Sequence, residues 1–194
     1  MPILGTIASQ VPGKISVPAF ESIATTLVGS GGASSVTFSS IPSMYKHLQL
    51  RYIGRATWQY GDSLIVRLNN DTTNGNYPYT HALYANGTTV AAYADNGDTQ
   101  PAIGYLMPGN GSYSTTNMFA SGVIDLLDYA STNKNKVMRN LYGAENSYTG
   151  SAPLPLGLAS TVWLNTAAVS TITITASYSS LAQNSHFALY GIKG

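Results

Sequence analysis

Residues 58–68 read WQYGDSLIVRL, followed by NND at 69–71. Two structures compete for this stretch. Ser63 could stand on a sharp turn between a strand and a helix, where the helix N-terminus and nearby amides hold an oxyanion. Alternatively, Gly61 and Asp62 make a turn and Ser63 opens a β-strand. The residues after Ser63 decide the matter. Leu64, Val66 and Leu68 alternate with Ser63, Ile65 and Arg67, and an Asn-rich turn follows. Alternation of this kind, with β-branched residues in it, predicts a strand.

The tetrapeptide GDSL also marks a family of serine esterases, which need a histidine three residues after an aspartate near the C-terminus. The histidines here are His47, His81 and His186, and three positions before them stand Met44, Pro78 and Gln183. No such pair exists, so no catalytic residue is predicted and the chain is not expected to be an enzyme. Asp71, Asp95 and Asp98 sit beside Asn and Gly, as tight turns require. They lack the alternating oxygens and closing glutamate of a calcium loop. Asp125 and Asp128, both placed on one strand, would point to opposite faces. They are expected to pair with Lys134, Lys136 or Arg139 rather than act as an acid and a base. Each histidine has an ordinary strand or turn position, so no metal and no cofactor is expected.

Gly, Ser and Asn clusters such as GSGGASS, NNDTTNGN, DNGD and PGNGS separate short alternating runs on either side of this stretch. Val36 and Phe38 share a face, as do Leu48, Leu50 and Tyr52, with His47, Gln49 and Arg51 opposite. MFASGVIDLLDY, KVMRNLYG, STVWLN, STITITAS and HFALYGI follow. Many short strands with Gly-rich turns predict an all-β domain. The expectation is a single jelly-roll-like antiparallel β-sandwich of about eight or nine strands over residues 18–194.

The 194 residues are 44% hydrophobic but only 9% charged, with a net charge of +1. An average soluble protein carries roughly 25% charged residues. Lys134, Lys136 and Arg139 are too sparse to grip phosphates, so nucleic acid is not an expected partner. The chain has no cysteine, which excludes disulfides and thiolate metal sites. No apolar run approaches the roughly 18 residues of a membrane-spanning helix, and membrane insertion is not expected. The opening MPILGTIASQVPGKIS lacks the features of a signal peptide. An extracellular role is therefore expected to follow release by lysis.

Residues 1–17 carry a thin apolar scatter, Ile3, Leu4, Ile7, Val11 and Ile15, broken by Pro and Gly. Such a segment is too short to fold alone. It either lies extended along a neighbouring subunit or partner as a docking arm, or remains a disordered tail. Fourteen tyrosines stand against four phenylalanines. Tyr77, Tyr79, Tyr84 and Tyr93, with His81 among them, cluster in the middle of the chain. They suit a core edge, a subunit contact or stacking on a host surface glycan.

Taken together, several stretches resemble a family of small virion structural proteins of tailed bacteriophages, tail-fibre or decoration-like in character. They are MPILGTIASQ, FESIATTLVGSGGASSVTFSSIPSMYKHLQLR, LNNDTTNGNYPYTHALY, VIDLLDYASTNKNKVMRNLYG, VWLNTAAVSTITITAS and the closing FALYGIKG. The region from Thr88 to Thr116 matches least. The resemblance supplies no catalytic residues. It implies a structural protein of the virion exterior, tail-associated or capsid-decorating, and a homotrimer held to other virion proteins by residues 1–17.

Overall fold

The computed structural model describes residues 19–59, 62–86, 89–98, 100–107, 109, 117–144 and 156–194. The expected docking arm, with Ile3, Leu4, Ile7, Val11 and Ile15, lies outside the described residues. Among the described residues twelve strands run in chain order: β1 Phe20–Leu27, β2 Val36–Phe38, β3 His47–Gly54, β4 Asp62–Leu68, β5 Tyr77–Asn86 and β6 Thr89–Asp98, then β7 Ala102–Leu106, β8 Ala120–Leu127, β9 Lys136–Ala144, β10 Leu156–Trp163, β11 Ile172–Ala176 and β12 His186–Ile192. Among the described residues there is no helix. The alternation seen in the sequence becomes alternation of burial. In β3, Leu48, Leu50 and Tyr52 face inward, while His47, Gln49, Arg51 and Ile53 face out. Turn chemistry is equally local. Asn69 and Asn70 follow β4 with φ of 50° and 55°, a backbone that Asn tolerates. The Asn69 side chain accepts from the Ser170 and Thr171 amides and donates to the Ala168 carbonyl.

All strand pairs are antiparallel and form two sheets. The larger runs β1-β12-β3-β8-β9-β10-β5-β6 and the smaller β2-β11-β4-β7. Leu48, Leu50, Ile124, Leu126 and Leu189 of the first share one core with Leu64, Val66, Leu68, Ile103, Leu106 and Ile174 of the second. The molecule is thus a β-sandwich, as the sequence predicts. There are more strands than the expected eight or nine because of two hairpins, β5–β6 and β9–β10. In the first, Asn86 pairs with Thr89 across Gly87 and Thr88, so a segment that reads as loop-rich folds back as sheet.

Most described tyrosines belong to the interior. One cross-strand row of the larger sheet reads Phe187, Tyr52, Gly122, Tyr142, Gly157, Tyr84 from β12 to β5. Each glycine leaves room for its neighbour's ring. A Cβ on Gly122 would lie 2.7 Å from Tyr52 Cζ, and one on Gly157 would lie 2.7 Å from Tyr142 Cε1. Tyrosine over glycine fills the layer between the sheets while keeping both strands paired. The ring tips find polar partners: Asn140 Nδ2, fully buried, donates to Tyr52 Oη at 3.3 Å and to the Ile103 carbonyl at 2.9 Å.

Candidate binding surface at the loop end

Ser63 lies inside β4, half-buried and paired with Tyr105 of β7, and the chain runs on as strand to Leu68. The strand reading of the residues after Ser63 therefore holds, while Tyr60 and Gly61 of the expected turn lie outside the described residues. Its chemistry belongs to Asp62, which is 2% exposed. Asp62 Oδ1 accepts from the amides of Ser63 at 2.8 Å, Ser177 at 3.1 Å and Tyr178 at 3.2 Å. Oδ2 accepts from Ser179 Oγ at 2.7 Å. One carboxylate thus clamps the loop after β11 onto the start of β4. The clamp holds Tyr178 at the surface, 74% exposed, in an edge-to-face contact with Trp58 at 5.1 Å between centroids.

Further backbone bonds zip neighbouring loops into this end. Thr57 N donates to the Ser180 carbonyl, Ala182 N to Arg55, Ala56 N to Met107 and Ala33 N to Leu181. Beside them opens a cavity of about 350 Å³ lined by Arg55, Thr57, Asn117, Phe119, Gln183 and Asn184. Burial lowers the Arg55 pKa, and a guanidinium stays charged all the same. A cation, a hydroxyl, amides and one ring suit an oxygen-rich polar ligand, with Trp58 and Tyr178 as an apolar platform nearby.

The residues the sequence put forward do not assemble there. Tyr77 is 1% exposed and its hydroxyl accepts from the Leu68 amide at 2.9 Å, so it is a core residue and not a surface contact. Tyr84 is half-buried in the inner row. His81 is exposed on the outer face of β5. Tyr79 and Tyr93 stand on β5 and β6. Alternation sends His81 and Tyr84 to opposite faces of β5. Trp58 and Tyr178 stand in RATWQYG and ASYSSLA, short polar stretches that carry no signal of a shared surface until the fold brings the two rings together.

The remaining polar groups serve the fold. Asp125 bonds Gln49 Nε2 at 2.9 Å and Arg139 Nε at 3.1 Å. Asp128 is not on β8 but just beyond it, with φ of 47°, and pairs with Lys134 at 2.8 Å. The Lys134 hydrogen bond, with the charges of Lys134, Lys46 and His47, outweighs desolvation and holds its carboxyl below the usual range. Lys136, expected as a carboxylate partner, is fully buried instead, its ammonium donating to the Lys134 and Thr166 carbonyls at 2.6 and 3.1 Å. Asp71 closes its own turn onto Thr73 and Asn76 and accepts Trp163 Nε1 at 2.6 Å. Partial burial works to raise this carboxyl, yet the hydrogen bonds from Trp163, Thr73 and Asn76 win and hold it at about 2. Among the described residues no cluster of three or more His, Asp or Glu could hold a metal ion. Compared with known protein families, curated proteins and solved structures, the chain matches none.

Proposed function

We propose that this chain is a non-enzymatic structural protein of the exterior of a tailed-phage virion, a fibre or tail-tip component, assembled as a homotrimer. Residues 1–17 dock it to other virion proteins. One observation carries the reading: the carboxylates of Asp62, Asp71 and Asp125 each clamp a loop or a strand. The sequence resemblance and the low charge of the surface support it. So does the strand order. Without the β5–β6 and β9–β10 hairpins, the sheets reduce to β1-β12-β3-β8 and β2-β11-β4-β7, the winding of a jelly roll. Imaging intact particles with the protein labelled tests the assignment; label on the capsid shell would move the protein to a decoration role. Deleting Met1–Ser16 should abolish incorporation while leaving the sandwich folded, and normal incorporation sinks the docking arm. Neither wild type nor Ser63→Ala is expected to hydrolyse ester substrates.

A second reading is favoured by the loop end. Trp58, Tyr178 and the cavity over Arg55 offer the stacking surface and hydrogen-bond donors that a host surface glycan needs. A glycan array probed with wild type and with Tyr178→Ala discriminates. Binding lost in the variant supports recognition at this end, and no binding by wild type leaves a scaffold.

A further inference from the structure

The outer face of the larger sheet carries an apolar band that the described residues leave exposed. Leu83, Leu158, Leu141 and Val123 are direct cross-strand neighbours from β5 through β10 and β9 to β8. They are 55%, 51%, 60% and 37% exposed. Leu156 at 60% and Ile53 at 48% lie on the same face, one row further along. Strands stand about 4.8 Å apart, so the four-residue row spans roughly 14 Å in a straight line. At roughly 80 Å² per aliphatic side chain, the six present on the order of 500 Å² of apolar surface. That reaches the upper end of what monomeric proteins leave exposed.

Polar residues border the band on one side. In the next row Ser160, Arg139, Asp125 and Gln49 are cross-strand neighbours, and Arg139 pairs with Asp125. This border is balanced in charge, so it does not select a strongly acidic or basic partner. It is instead complementary to itself, because Arg139 of one copy can meet Asp125 of another. A sheet face also packs well against a sheet face, with side chains interdigitating across about 10 Å as in the molecule's own core. With its polar border, the band approaches the roughly 800 Å² per partner of a standard interface.

We infer that the band of Leu83, Leu158, Leu141 and Val123 is the self-association face, covered in the assembled protein by a second copy of this chain. This rests on the proposal that the chain assembles with itself, and it replaces the trimer by a two-fold pair, because a face that meets its own copy is isologous and closes as a dimer. Burying two carboxylates at the centre of such a face should weaken association at least a hundredfold. The test is molar mass by light scattering at about 50 µM for wild type, for Leu141→Glu/Leu158→Glu and for Met44→Glu. Met44 is 69% exposed and not one of the band's residues. Circular dichroism checks the fold of each, and Leu141→Thr/Leu158→Thr replaces the double variant if the glutamates unfold it. A multimeric wild type and Met44→Glu beside a folded, monomeric double variant is the expected result. A double variant that keeps the wild-type mass overturns this face and leaves assembly standing. A monomeric wild type overturns both.

Discussion

Removing the Asp62 carboxylate should unfasten the loop end and weaken the whole sandwich. In Asp62→Ala the amides of Ser177 and Tyr178 and the hydroxyl of Ser179 lose their acceptor. A hydrogen bond to a charged group contributes roughly 1.5–3 kcal/mol. These bonds share one acceptor, so their energies do not add, and a total cost of roughly 3–5 kcal/mol is expected. Asp62→Asn keeps one carbonyl oxygen and should cost roughly 1–2 kcal/mol. The assay is urea unfolding followed by circular dichroism and Trp emission. With an m-value of roughly 2.5 kcal/mol per M, Asp62→Ala should lower the midpoint by roughly 1.5 M. Ser63→Ala, one residue along, should leave it nearly unchanged. If Asp62→Ala unfolds within about 0.3 M of wild type, the carboxylate does not hold the loop and the clamp between β4 and the loop after β11 carries no stability.

Gly122→Ala should cost roughly 2 kcal/mol or more, because its Cβ meets the Tyr52 ring between two paired strands. Gly29→Ala, with nothing within 4 Å, is the matched control, and equal melting temperatures for the two would refute the ring-over-glycine packing. Alkaline pH should unfold the protein. Burial pushes Tyr52, Tyr77 and Tyr105 up to about 12, so the folded state keeps protons that the unfolded chain releases near 10. Their contribution is whole below about pH 10 and is lost as pH rises towards 12, and tyrosinate absorbance should appear together with loss of β-structure. Buried Lys136, whose pKa is lowered by desolvation, acts in the opposite direction below about pH 10, with stability rising as pH rises. In acid, Asp71 contributes stability above about pH 4 that is lost as pH falls towards 2. Trp163→Phe removes one of its donors and should raise the acid unfolding midpoint; an unmoved midpoint would show that this bond carries no weight.

What the sequence determined by itself is local. Alternation in KHLQLRY decides which side chains go inside, because a strand turns successive residues to opposite faces whatever it pairs with, whereas in SLIVRL Ile65 on the opposite phase is buried too, at 1% exposed. Asn69, Asn70 and the Asp71 turn are equally legible, since backbone preference acts within a few residues. Strand pairing was not legible, as it joins segments far apart in the chain. Asp62 finds its partners more than a hundred residues away, at Ser177 to Ser179. Gly122 is a gap in β8 until Tyr52 lies over it, and Tyr77 looks like a contact residue until its hydroxyl meets Leu68. The hairpins β5–β6 and β9–β10 place Leu83, Leu158 and Leu141 side by side, and only that pairing turns scattered leucines into one surface. Side-chain pattern sets each strand's two faces; the order in which strands meet sets what those faces become.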